Sequence, residues 1–133
     1  QIAQAAQDIY NWSFQLMNKI WWSDAKIDGS FIPVWDNPEH KHWFFAVRST
    51  GKIELYLGEM AKKPPFNNIN LRNEFIDRLN NLGANIPEDK IGLYPKFSLE
   101  VIASPEKMKE FKRIIEWALE EAKRISDPEK KEG

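Results

Sequence analysis

Residues 42–57, HWFFAVRSTGKIELYL, contain the pattern that decides the fold. Two runs rich in aromatic and β-branched residues, His42 to Arg48 and Lys52 to Leu57, flank the segment Ser49-Thr50-Gly51. That segment can supply turn dihedrals, and a loop this short joins antiparallel neighbours. The stretch therefore predicts a β-hairpin.

Turn residues divide the preceding segment in the same way. Asp28-Gly29 and Asp36-Asn37-Pro38 separate two further runs, Ile20 to Trp22 and Phe31 to Trp35. Because each connection is short, we predict that the four runs form an antiparallel meander. A fifth strand is predicted at Phe97 to Ile102.

Apolar side chains at three- and four-residue spacing predict helices before and after the meander in the chain. Two of these helices cover Ile2 to Ile20 and Ile69 to Leu82, and Gly83 is placed to end the second. A third begins with Ser104 as N-cap and Pro105 in its first position. The predicted fold class is α+β: a four- to five-stranded antiparallel meander sheet packed with three helices.

The length of 133 residues and the mass of 15.6 kDa suit a single domain. We place it at 1–125 and expect 126–133 to be a frayed tail. The absence of cysteine excludes a disulfide framework and a thiolate-ligated zinc site. Because the chain opens at Gln1 on a helical pattern without a secretory signal, we expect a cytoplasmic, C-terminal domain of a longer protein.

The charge is nearly balanced over the chain and uneven along it. The net charge of -1 and the pI near 6.2 exclude a globally basic nucleic-acid binder. Only 41–65 is basic, with five lysines and arginines against two glutamates. A nucleic-acid role would need this segment to form a concentrated patch.

The two faces of the predicted hairpin differ in character. Strand alternation places Trp43, Phe45 and Val47 on one face, which we predict to be core. The other face mixes rings with charged groups: His42, Phe44, Ala46, Arg48, Lys52, Glu54 and Tyr56. Antiparallel sheets commonly keep one face wet, so this second face is either open or covered by a helix that would make Phe44 ordinary core.

An open second face would suit a polynucleotide, because flat rings stack on bases and cations neutralise phosphates. The predicted phosphate contacts are Arg48, Lys52, Lys62 and Lys63, and the predicted stacking rings are Phe44 and Tyr56.

The tryptophans offer a different interpretation. Trp21 and Trp22 are adjacent in a predicted strand and must face opposite sides of the sheet. Trp22, Trp35 and Trp43 are the residues we expect in an aromatic pocket, which would make the domain a small-ligand or protein-interaction module. Large amphipathic rings also fill the borders between helix and sheet, so a purely structural role stays open.

Catalytic patterns are weak. His40, His42 and Asp36 suggest a metal-dependent hydrolase as a third hypothesis, but no further converging ligand is evident. No nucleophile has an orienting acid at a diagnostic spacing, and the glycines form no phosphate-binding loop. We therefore predict no catalytic residues, no metal and no cofactor.

Several strings together resemble an uncharacterised prokaryotic domain that accompanies predicted restriction-type nucleases as their C-terminal half. They are GSFIPVW (29–35), WFFAV (43–47), TGKIEL (50–55), KPPF (63–66), LRNE (71–74) and IPED (86–89). The resemblance covers about 20–123 and implies no catalytic residues. It implies a noncatalytic DNA-recognition or regulatory module beside a nuclease domain, in a DNA-processing or defence protein.

Overall fold

The computed structural model of the chain describes residues 2–22 and 30–126. The predicted turn at Asp28-Gly29 and all but the first residue of the predicted tail lie outside this part. Within it the chain is an α+β domain with an antiparallel sheet, as predicted. The strands follow one another across the sheet in the order Lys19–Trp22, Phe31–Asp36, Phe45–Arg48, Lys52–Leu55 and Lys96–Ser98, and the short strand Lys41–His42 pairs with Phe31–Asp36.

The strands are β1 (Lys19–Trp22), β2 (Phe31–Asp36), β3 (Lys41–His42), β4 (Phe45–Arg48), β5 (Lys52–Leu55) and β6 (Lys96–Ser98). The helices are α1 (Ile2–Leu16), the one-turn α2 (Leu57–Met60), α3 (Ile69–Leu82) and α4 (Pro105–Ser126).

The ends of α3 and the start of α4 follow local sequence signals. The Asn68 side chain accepts hydrogen bonds from the first backbone N–H groups of α3, and Gly83 ends that helix at φ 117°. The Ser104 hydroxyl accepts a bond of 3.3 Å from the N–H of Lys107, as expected of an N-cap. Both helices therefore begin where the sequence predicts.

Two predicted elements are shorter than expected. Helix α1 ends at Leu16 instead of Ile20, because the Asn18 amide bonds both the N–H and the carbonyl of Asp36 at 2.8 Å and so begins sheet pairing. The strand predicted from Phe97 ends at Ser98, whose hydroxyl accepts from the N–H of Glu100 and starts a 3-10 turn.

The sheet contains a β-bulge between β3 and β4. His42 lies opposite Trp35, and Val47 lies opposite Phe31. The chain advances five residues from His42 to Val47, whereas β2 covers the same distance with four residues, from Trp35 back to Phe31. One extra residue therefore interrupts the alternation near Phe44. Strict alternation from His42 to Arg48, which the sequence analysis assumed, is wrong for this reason.

The three long helices lie on one side of the sheet. The Phe45 ring contacts Phe111 of α4, and Phe31, on the same side, contacts Tyr10 of α1. Helix α3 completes this side through Phe75, which lies 6.3 Å from the ring of Phe44. The sheet face turned away from these helices is called the open face below.

Candidate functional site

The bulge exchanges the positions of two aromatic residues. Phe44, predicted to stack on a ligand, is only 1% exposed, and its ring contacts Phe66 at 5.9 Å. The prediction of Phe44 as a stacking ring is therefore wrong, because one inserted residue turns it towards the helices. Trp43, predicted to be core, lies on the open face beside Trp21.

Four rings form a continuous row across the open face. Trp21 and Trp43 lie 5.2 Å apart between centroids, Trp43 and Tyr56 6.4 Å, and Tyr56 and Tyr94 5.7 Å. Trp21 belongs to β1, Trp43 to the bulge, Tyr56 follows β5, and Tyr94 precedes β6. We call these four residues the ring row. The predicted ring Tyr56 belongs to it, half-buried.

Tyr94 is the exposed end of the ring row, with 38% of its surface accessible. Its ring lies against Gly58, where a Cβ atom would come within 2.9 Å of it. Its hydroxyl donates to a Glu59 oxygen at 2.9 Å, and the same oxygen accepts from Lys62 at 3.2 Å. The Tyr94 hydrogen bond, with that from Lys62, lowers the pKa of Glu59 and keeps this carboxylate charged.

Among the residues that the structure describes, seven basic side chains lie on or beside the open face: Lys19, Lys41, Arg48, Lys52, Lys62, Lys63 and Lys96. Four carboxylates of the same described residues share it: Asp36, Glu39, Glu54 and Glu59. Since the whole chain carries -1, this excess of three cations must be offset elsewhere. The face is basic although the protein is not.

The predicted phosphate ligands differ in what they contact. The Arg48 Nε donates to Glu54 at 2.9 Å, so a carboxylate neutralises this guanidinium. Lys62 forms its ion pair with Glu59. Lys52 is exposed and, within 2–22 and 30–126, forms no salt bridge. Of the four predicted phosphate ligands, only Lys52 and Lys63 form no ion pair with a carboxylate in the described part of the chain.

Lys63 is held in place by two contacts. Its ammonium donates to the carbonyl of Lys41 and lies 4.2 Å from the centre of the Trp43 ring. Burial lowers its pKa below the usual lysine value. Beside it lies an open depression of about 410 Å³ between the β2–β3 turn, Trp43 and Lys63.

The three tryptophans of the predicted pocket are not brought together. Trp22 contacts Tyr10 at 5.4 Å on the helix side and is 56% exposed. Trp35 also lies on the helix side, where the Lys123 ammonium is 4.3 Å from its ring. Trp43 lies on the open face, so the predicted pocket is wrong. The expectation that Trp21 and Trp22 face opposite sides is confirmed.

The two histidines lie near each other without forming a metal site. The His40 and His42 ring centroids are 6.0 Å apart, and His42 is only 3% exposed. Burial, with smaller contributions from Lys63 and His40, lowers the pKa of His42 to about 4. Among residues 2–22 and 30–126, no three His, Asp or Glu side chains are grouped as metal ligands.

Trp21 and Tyr94 are site residues that the sequence analysis did not select. Trp21 was recognised only as one of two oppositely facing tryptophans. Tyr94 lies in a loop without periodicity, and only the return of the chain to pair β6 with β5 brings it beside Tyr56. No local signal identifies such a residue.

No described helix is both long enough and apolar enough to cross a membrane. No family model, curated protein or solved structure matches the chain, so the resemblance to a nuclease companion domain stays a prediction.

Proposed function

We propose that this domain is a noncatalytic module that binds unpaired DNA across the open face of its sheet. The observation that carries the proposal is the ring row, which runs from β1 to the start of β6 on a face with an excess of cations.

The spacing of the rings favours separated bases. Neighbouring centroids are 5.2 to 6.4 Å apart, wider than the roughly 3.4 Å between stacked bases in a duplex strand, and neighbouring ring planes meet at 59° to 78°. Separated bases of an extended single strand would therefore meet individual rings of the row, above all the exposed Tyr94, at about 1–3 kcal/mol for each stack that forms. A duplex hides these base faces, so we expect it to bind more weakly.

The lysines supply the electrostatic part of the binding. Lys52 and Lys96 pair with residues of neighbouring strands, point to the open face and are exposed. Contacts between such lysines and phosphates release counterions, which makes binding salt-dependent. Because the net charge is -1, binding would depend on this face and not on the whole surface.

The resemblance of the sequence to a companion domain of restriction-type nucleases directs the proposal to DNA. In that setting the module would recognise or regulate access to DNA for a nuclease domain in the same protein.

Fluorescence anisotropy with a labelled oligonucleotide tests the proposal. We expect single-stranded DNA to bind more tightly than the duplex of the same sequence, with affinity falling as salt rises. Tyr94→Ala should weaken binding roughly 5- to 150-fold, the equivalent of one lost stack, with the salt dependence unchanged. The matched control is Phe14→Ala, which removes a ring that is 60% exposed on α1, away from the ring row.

Three results would contradict the proposal. They are a duplex that binds as tightly as the single strand, equal effects of Tyr94→Ala and Phe14→Ala, and affinity that does not respond to salt.

A further inference from the structure

We propose that the depression beside Trp43 is a binding site for a phosphate group, and, resting on the function proposed above, that it holds one backbone phosphate of the bound DNA.

The central element is the ammonium of Lys63. A lysine ammonium has three N–H donors, and the bond to the Lys41 carbonyl uses one of them. The position over the Trp43 ring fixes the group further. At least one donor therefore remains for a ligand, and much of the entropy of ordering this side chain is already lost before binding.

The charge of Lys63 is not balanced by a carboxylate contact. It forms no salt bridge in the part of the chain that the structure describes. Its half-buried ammonium is poorly solvated, which lowers its pKa, and the Glu59 carboxylate, which forms no salt bridge with Lys63, only partly opposes that shift. An anion beside Lys63 would add a close counter-charge in a partly desolvated setting, where such pairing is strongest.

The remaining walls suit an anion with oxygen acceptors. Lys41 and His40 contribute further nitrogen groups, and the volume of about 410 Å³ leaves ample space for a phosphate. Asn37 shapes the turn by accepting N–H bonds from Glu39 at 2.9 Å and His40 at 2.7 Å. Glu39 is the one carboxylate among the described residues that line the depression, and it opposes the binding of an anion.

The position of the depression connects it to the ring row. Trp43 lines the depression and is also the second ring of the row, 6.4 Å from Tyr56. The Lys63 ammonium covers one face of the Trp43 ring, so a nucleotide whose base contacts the row next to Trp43 would have its phosphate within reach of Lys63. The site would fix the register of the DNA strand on the protein, because a phosphate contact positions the backbone. A ring contact alone would not do so, since any base can stack on a ring.

The first experiment uses inorganic phosphate as the probe and ¹H–¹⁵N NMR as the readout, at constant ionic strength with chloride as the reference anion. We expect saturable shifts at the backbone N–H groups of 37, 39–41 and 63 and at the Trp43 indole. Lys63→Met should weaken phosphate binding at least tenfold, whereas Glu39→Gln should strengthen it severalfold. Lys109→Met, an exposed substitution on α4, is the matched control and should change nothing.

Lys63→Gln serves as a second variant at this position. Circular dichroism of Lys63→Met and Lys63→Gln shows whether each variant keeps the fold. If either variant unfolds, Glu39→Gln still tests the proposal, since Glu39 is exposed. Chemical-shift changes spread evenly over exposed lysines would contradict the proposed site. A phosphate affinity that is unchanged by the substitutions of both Lys63 and Glu39 would also contradict it.

The second experiment separates this site from the proposed function. With single-stranded DNA, Lys63→Met should lower affinity and reduce the salt slope by about 0.7, the value for one phosphate contact. If DNA binds through the ring row but Lys63→Met leaves affinity and slope unchanged, the phosphate site fails and the function stands. If phosphate binds as described but DNA does not, the function fails and the site stands as one for a free phosphate or phosphate ester.

Discussion

Phe44 and Phe45 are consecutive residues, yet both side chains are buried on the helix side of the sheet, at 1% and 0% exposure. Successive residues of a regular strand face opposite sides, so this pair is the direct result of the bulge. Phe44 reaches Phe75 of α3, whereas Phe45 reaches Phe111 of α4. The bulge thus places Phe44 against α3 and Phe45 against α4, and it leaves Trp43 on the open face.

Phe44→Ala should destabilise the domain by about 3–5 kcal/mol, because it leaves a ring-sized cavity between the sheet and α3. Urea unfolding followed by circular dichroism measures the change. Phe14→Ala, at a position 60% exposed, should change the free energy of unfolding by less than about 0.5 kcal/mol. Equal effects of the two substitutions would contradict the burial of Phe44.

Gly58→Ala should displace the Tyr94 ring, because the new Cβ would come within 2.9 Å of that ring and 3.0 Å of the Gly92 carbonyl. The movable ring, not the fold, should absorb most of the conflict, so we expect a small loss of stability and a clear loss of DNA affinity. Anisotropy and urea unfolding measure the two effects. Gly92→Ala is the matched control, since a Cβ there meets nothing within 4 Å; similar effects at both positions would contradict the packing of Tyr94 on Gly58.

Local signals account for the parts of the fold that the sequence predicts well. The limits of α3 follow from its apolar stripe and from Gly83, and the hairpin turn from Ser49-Thr50-Gly51, where Gly51 has φ 83°. Each of these signals acts over a few neighbouring residues and agrees with the tertiary packing around it. The local preference is therefore kept in the fold.

The bulge could not be predicted in the same way. Trp43, Phe44 and Phe45 are all large and apolar, so their order gives no indication of which ring faces the core. The choice depends on how β2 pairs with both β3 and β4 and on where α3 packs. For the same reason the sequence shows that 41–65 is basic but does not show which ring lies on the open face beside it.

Acidification should destabilise the domain through His42. Its pKa is about 4 in the folded state, below the ordinary 6.5, so between these values the unfolded chain binds more protons. Stability should therefore fall as the pH drops from about 6.5 to 4, by up to about 3 kcal/mol, and should not respond to this group at higher pH.

The His42→Phe variant tests this effect, because it removes the titratable group itself. Phenylalanine keeps the contact with Phe44 and removes a buried ring nitrogen, Nε2, that has no hydrogen-bond partner among the described residues. Urea unfolding at a series of pH values should give a shallower decline in stability for His42→Phe than for the original protein. A decline of the same slope in His42→Phe would contradict the assignment.

Removing the charge of Glu54 should strengthen DNA binding, provided that the open face binds DNA as proposed. Glu54 accepts the hydrogen bonds of Arg48 and lies opposite Ala46 and Lys96, in the middle of the open face. Glu54→Gln keeps the shape of the side chain and an acceptor oxygen for Arg48, but it removes a negative charge that repels phosphates from the middle of the open face. We expect a severalfold gain in affinity for single-stranded DNA. Glu110→Gln removes an exposed carboxylate from α4 and gives the same change in net charge, so it should have a much smaller effect. If both substitutions raise affinity equally, the gain reflects net charge alone, and the open face is not where the DNA lies.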